Sequence, residues 1–170
     1  MSQLPLHPLV VHLPIALAIL VPLVALGTLL AWHRGLLPRR AFAVAVGLQL
    51  LLVGSSVAAI QTGEADEEVV ERVVPEAALE AHEEAADTFT YAAGALSLVF
   101  LGALALGDRP SAKVVAAAAT LGSLVVLGLG YQVGHAGGRL VYAYGAASAH
   151  VATASRTTPT VPPAGLADDD

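Results

Sequence analysis

Four stretches of the chain, 9–31, 41–60, 85–106 and 114–133, are apolar over about 20 residues or more, the length a helix needs to cross hydrocarbon. A peptide group left unpaired in lipid is too costly, so helices are the form predicted for all four. The first block is broken mainly by His12, Pro14, Pro22 and Thr28, and the second by Gln49 and Ser55–Ser56. The third has a polar start at Asp87. No basic residue precedes the first block and its apolar run is long, so it is predicted to be an uncleaved helix rather than a signal peptide. The fold class predicted is all-α: a four-helix transmembrane bundle over 1–150, with an acidic outer loop between helices two and three. Beyond it, 151–170 carries Ser155, Arg156, Thr157, Thr158, three prolines and a terminal run of aspartates, the composition of a flexible polar tail.

The polar segments divide by charge. Arg34, Arg39 and Arg40 lie between blocks one and two, and Arg109 and Lys113 between blocks three and four. Arg72, Arg139 and Arg156 are spread over much more chain on the other side. Basic residues concentrate in cytoplasmic loops. The predicted location is therefore a bacterial inner membrane, multi-pass, with both termini and the 61–84 segment on the outer, periplasmic side. That segment holds Glu64, Asp66, Glu67, Glu68, Glu71, Glu76, Glu80, Glu83 and Glu84. Within it Pro75 suits a first helical position and Glu76 complements the dipole behind it. Leu79, His82, Ala86 and Phe89 share one helical face, so helix three is expected to start before the lipid with His82 on its inward stripe. Gly137–Gly138 is read as the end of helix four, and Gly130 with Gly134 as a small-xxx-small packing pair.

Composition sharpens this picture. Of 170 residues, 56% are hydrophobic and 13% charged, against about 25% charged in a soluble domain. The absence of cysteine removes disulfides, thiolate metal sites, iron–sulfur ligation and covalent c-type haem attachment. Met1 is the sole methionine, so any metal must be held by histidines or carboxylates. The net charge of −6 argues against nucleic acid as a partner.

The candidate chemistry is in the histidines. His7, His12, His82, His135 and His150 map to the outer side and only His33 to the inner. His7 and His12 flank the start of helix one, His82 precedes the apolar part of helix three, and His135 follows that of helix four. Each taken singly suits a membrane interface as an amphipathic residue, but four at three helix ends point to a ligand set, because neutral imidazole is the commonest metal ligand. A b-type haem would take two axial histidines from facing helices. The first choice of ligands is His12 and His82, with His7 and His135 as a second or supporting pair. Gly128, Gly130 and Gly134 of helix four and Gly47 and Gly54 of helix two would make room for a porphyrin, and Arg139 would pair with a propionate. On an unbroken helix His7 and His12, five apart, would not align, and Pro8 and Pro14 leave that local geometry open. Ser55 and Ser56 have no base near in sequence, and no phosphate loop, dinucleotide fingerprint or H-E-x-x-H motif occurs. An electron-transfer or binding protein is expected rather than a hydrolase or transferase.

Three stretches resemble an uncharacterised bacterial membrane family catalogued as domain of unknown function 2231. They are His7-Pro8-Leu9-Val10-Val11-His12-Leu13-Pro14-Ile15-Ala16-Leu17, the Thr62-Gly63 turn followed by the isolated His82, and His135-Ala136-Gly137-Gly138-Arg139-Leu140-Val141-Tyr142. Together they cover about 5–145. The resemblance implies a four-helix membrane domain with His7, His12, His82 and His135 as its characteristic histidines. Relatives fused to c-type cytochrome or Rieske-like modules imply redox work. The chain departs from the family at Tyr144, where a histidine is frequent.

Three functions remain open from the sequence. The first is a haem b protein for electron transfer or redox sensing, exchanging electrons with a periplasmic redox partner or a quinone. The second is a copper or zinc protein in metal handling. The third is a structural or assembly subunit with no cofactor. The lipid bilayer is the expected partner in all three, and homo-oligomerisation stays open.

Overall fold

The computed structural model describes residues 6–149, so His150 and the tail at 151–170 lie outside the described residues. The described residues form α1 (His7–Val10), α2 (His12–His33), a 3-10 turn at Arg39–Phe42, α3 (Ala43–Val70), α4 (Glu76–Ala105) and α5 (Pro110–Tyr142). They fold as one up-down-up-down bundle in which α2 packs on α3, α3 on α4, α4 on α5, and α5 back on α2. The two diagonal pairs make no close backbone approach. Four helices are long and apolar enough to cross a membrane, with α1 and α2 acting as one span. At most 39% of any span's apolar window is buried within the chain, so the rest needs lipid.

The interior is built from small residues and a few rings. Ala18, Ala25, Ala45, Ala93, Ala103, Ala116 and Ala119 are buried at the contacts. Lipid is as apolar as a protein core, so close backbone approach rather than hydrophobic burial holds such helices together. Two aromatics fill the space the alanines leave: Phe42 and Phe100 are fully buried and stack with centroids 5.6 Å apart at 11°. Buried hydroxyls turn back on their own helices, as Ser97 does to the Ala93 carbonyl at 3.0 Å and Thr120 to that of Ala116 at 2.8 Å. Gln49 reaches across instead, and its Nε2 donates to the Ala93 carbonyl at 2.8 Å.

One end of the bundle carries the basic turns. Gly35 (φ 73°) and Gly107 (φ 67°) take the left-handed conformation that stops α2 and α4. The two turns are tied together by Arg39, which donates to the Leu104 carbonyl at 3.0 Å and pairs with Asp108 at 3.4 Å. Lys113 lies over the Trp32 ring, 5.7 Å from its centroid.

The other end differs from the sequence reading. Helix three starts before the lipid, as the sequence predicts, but 61–70, expected as part of a loop, is helical as well. α3 continues to Val70 and α4 restarts at Glu76, leaving a turn of five residues in which Val74 is buried. Glutamate and alanine are good helix formers, so hydropathy marks where the lipid ends and not where the helix ends. Pro75 is the N-cap of α4 rather than its first residue, and Glu76 does stand in the first turn. Gly137–Gly138 does not end the last helix. α5 runs on to Tyr142, and Gly145 (φ 74°) takes the left-handed position. A satellite apolar cluster of Val74, Leu140 and Ala146 closes this end.

The stacked rings give a test of the packing. Phe100→Ala should destabilise the bundle by about 1–3 kcal/mol in a detergent–SDS titration, less than in a soluble core because the unfolded helices stay in apolar surroundings. A change within the error of the titration would show that the Phe42–Phe100 stack does not hold the bundle.

Candidate functional site

Between the main core and the satellite cluster lies a thin layer where two imidazoles meet. His7 opens α1, which lies against α3. The chain stays helical at Val11 (φ −61°, ψ −21°), so α1 and α2 are nearly continuous. Pro14 offers no N–H to the Val10 carbonyl, and the hydrogen-bond ladder lapses there. Five residues at about 100° each separate His7 and His12 by about 140° around one axis. His7 therefore turns into the bundle, half-buried, and His12 is exposed.

His7 is oriented by a backbone carbonyl. Its Nδ1 lies 2.9 Å from the carbonyl oxygen of Ala59. An oxygen of that kind only accepts, so Nδ1 carries the proton and Nε2 keeps its lone pair. This arrangement, Nδ1–H held by a carbonyl, is the one that fixes a ligating histidine. Thr62 steadies the same acceptor, since its hydroxyl donates to Ala59 at 2.9 Å and lies 3.4 Å from His7 Nδ1.

His82 comes to His7 from α4. The ring centroids are 6.3 Å apart and the planes stand at 86°. His82 Nδ1 is buried without a hydrogen bond of good geometry, and the backbone of Val133 on α5 is the polar group nearest in effect to this ring. An unsatisfied buried nitrogen of this kind costs about 1–3 kcal/mol, a cost that a ligand would remove. Each ring is backed by a glycine. A Cβ at Gly63 would stand 3.2 Å from Cε1 and Nδ1 of His7, and one at Gly137 would stand 3.1 Å from Cε1 of His82.

The other sequence candidates lie apart from this pair. His135 is exposed on α5 and stacks on Tyr131, with centroids 6.2 Å apart at 19°. Arg139 is exposed, donates to the Tyr144 hydroxyl at 3.2 Å and lies over that ring at 6.0 Å. Gly137 faces His82; Arg139 is two residues, about 200°, further round α5, so it leaves the helix on another side. Gly47, Gly54 and Gly128 are exposed, with nothing within 4 Å of where a Cβ would be, so they do not line the histidine pair. Gly130 packs against Phe89, as the sequence suggested, while Gly134 is open. The structure thus brings together His7 and His82, and leaves His12 and His135 facing outward. Among the described residues, no group of three or more His, Asp or Glu is arranged to hold a metal ion.

The sequence reading missed the parts that position the pair. Thr62-Gly63 is not a turn but the interior of α3, and Gly137 is the interior of α5. Both glycines stood inside the motifs already singled out, where their use as flat backing for a ring was the unread signal.

The family described as a predicted membrane protein (DUF2231) matches residues 3–150. The chain belongs to that family. No curated protein and no solved structure matches it.

The glycine backing makes a quantitative prediction. Gly137→Val should destabilise the protein by about 1–3 kcal/mol through overpacking against His82. Combined with His82→Ala, the loss should be smaller than the sum of the two single losses. Strict additivity in thermal melts of the four proteins would mean that Gly137 and His82 do not constrain each other.

Proposed function

We propose that this membrane protein binds a metal centre between His7 and His82. The observation that carries the reading is the hydrogen bond from His7 Nδ1 to the Ala59 carbonyl, which leaves Nε2 available beside a second imidazole whose Nδ1 makes no hydrogen bond of good geometry. Two donors without a third limit the occupant. Metal–nitrogen bonds of about 2.0–2.1 Å put two imidazole centres about 6.4 Å apart on opposite sides of one metal, and about 5.2 Å apart at a tetrahedral angle. The observed centroid distance of 6.3 Å, with the planes at 86°, is nearer the opposed spacing than the tetrahedral one. Among the described residues no third donor joins the two imidazoles, which favours two-coordinate copper(I) over zinc, which takes four ligands.

Haem b is the second reading, because its iron also takes two opposed imidazoles. Against it, of the glycines expected to make room for a porphyrin, Gly47, Gly54, Gly128 and Gly134 face outward and Gly130 is packed on Phe89. Bound at this pair, either group would supply one-electron redox chemistry, and the chain's own part is to orient the imidazoles. We further place the site on the periplasmic side of a bacterial inner membrane, because the basic residues cluster at the opposite end of the bundle. The acidic flanks of α3 and α4 would there favour a basic redox partner, with a quinone as the other acceptor.

Protein purified without an affinity tag should contain stoichiometric copper by elemental analysis. The metal should be lost in His7→Ala and His82→Ala and kept in His12→Ala and His135→Ala. A Soret band and a positive pyridine haemochromogen assay with the same dependence would replace copper by haem. Neither metal nor haem, after expression with ample supply of both, would leave a structural or assembly subunit.

The natural absence of cysteine gives a clean test of orientation. A membrane-impermeant maleimide on intact cells should label Glu68→Cys, and should label Asp108→Cys only after lysis. The reverse pattern would invert the topology.

A further inference from the structure

A second feature at the histidine end belongs to none of this chemistry. A shallow groove on α5 is lined by Gly134, His135, Gly138, Arg139, Tyr142 and Ala143. His135 and Arg139 are four residues apart on one helical face, about one turn from each other. Gly134 and Gly138 form an open floor, with nothing within 4 Å of either missing Cβ. Tyr131, 72% exposed, lies below the groove, and Tyr142, 91% exposed, lines its far end.

Depth and charge identify what such a groove meets. The apolar part of α5 ends at 133. From 134 to 139 the helix rises about 7.5 Å, which spans the layer of about 5–7 Å between hydrocarbon and water. Exposed tyrosines at both ends of this layer are the usual markers of a membrane interface. Among the described residues Arg139 has no carboxylate partner, in a chain whose net charge is −6. Its hydrogen bond goes to the Tyr144 hydroxyl, which holds the guanidinium in place and leaves its charge uncompensated. Guanidinium pairs with phosphate oxygens through two parallel hydrogen bonds, and imidazole and tyrosine hydroxyl add donors.

We propose that this groove binds the phosphate of an anionic phospholipid headgroup, with Arg139 as the principal contact and His135 and Tyr142 as flanking donors. The lipid is the source favoured over a soluble phosphate because the groove lies in the headgroup layer and opens beside the acyl-chain surface of α5. The proposal is independent of any metal at His7 and His82.

Native mass spectrometry of protein released from nanodiscs of phosphatidylcholine doped with phosphatidylglycerol tests it. Wild-type protein should retain phosphatidylglycerol over phosphatidylcholine. Arg139→Gln should reduce that retention about tenfold or more, the factor expected for loss of a charge-assisted hydrogen bond. Arg139→Lys should lose less, because it keeps the charge without the paired geometry. Arg72→Gln, at the same end of the bundle but already paired with Glu68, should change nothing. Circular dichroism of each variant confirms that the helices are intact. Equal retention by wild type and Arg139→Gln overturns the proposal. Displacement of the lipid by inorganic phosphate, with the same dependence on Arg139, would overturn the lipid as ligand in favour of a soluble anion.

Discussion

Hydrocarbon offers a peptide group no hydrogen-bond partner, and the whole architecture follows from that constraint. It requires helices in the four apolar blocks. It turns the hydroxyls of Ser97 and Thr120 back onto their own carbonyls. It selects alanine at the helix contacts, since association in lipid depends on how closely backbones approach. Where the constraint relaxes, the chemistry begins. α3, α4 and α5 overrun their apolar stretches at one end, and there imidazoles, carboxylates and a guanidinium can stand on helices that the lipid-embedded part has already aligned.

That end is built in storeys. Phe89 and Gly130 belong to the main core, Val74 and Leu140 to the satellite cluster, and His7 and His82 lie between them. On α4 the order is Leu79, His82, Phe89; on α5 it is Leu140, Gly137, Gly130. Apolar packing above and below keeps the imidazoles from sampling water freely, and the Ala59 carbonyl fixes the one that enters from the chain's start. At the far end, Arg39 clamps both basic turns to each other. The bundle is therefore closed at both faces by contacts between its two hairpins.

The four spans and the inward stripe of α4 were legible because apolar periodicity and length report directly on lipid contact. The ends of the helices were not. Glu64 to Val70 is polar enough to read as a loop, yet its helix propensity and its neighbours keep it helical. The histidine layer was legible as a layer and not as a pair. Helical arithmetic separates His7 from His12, and once Val11 is known to be helical it settles that only one of them faces inward. Which one meets His82 depends on the register between α1, α3 and α4, and no pattern within one helix carries that information. Gly137 illustrates the same limit: in sequence it looked like a terminator, and in the fold it is the wall behind a ring.

Gly63 and His7, and Gly137 and His82, also bear on how this sequence can drift over time. Each glycine touches an imidazole at a distance that leaves no room for a methyl group without movement of the ring. A side chain gained at 63 or 137 by itself pushes against its histidine, and a smaller residue at 7 or 82 leaves a void against the glycine. The two positions of each pair are therefore coupled in descent: among homologues, substitutions at 7 and 63 should be inherited jointly, as should those at 82 and 137, a coupling to a glycine that exposed His12 and His135 do not share.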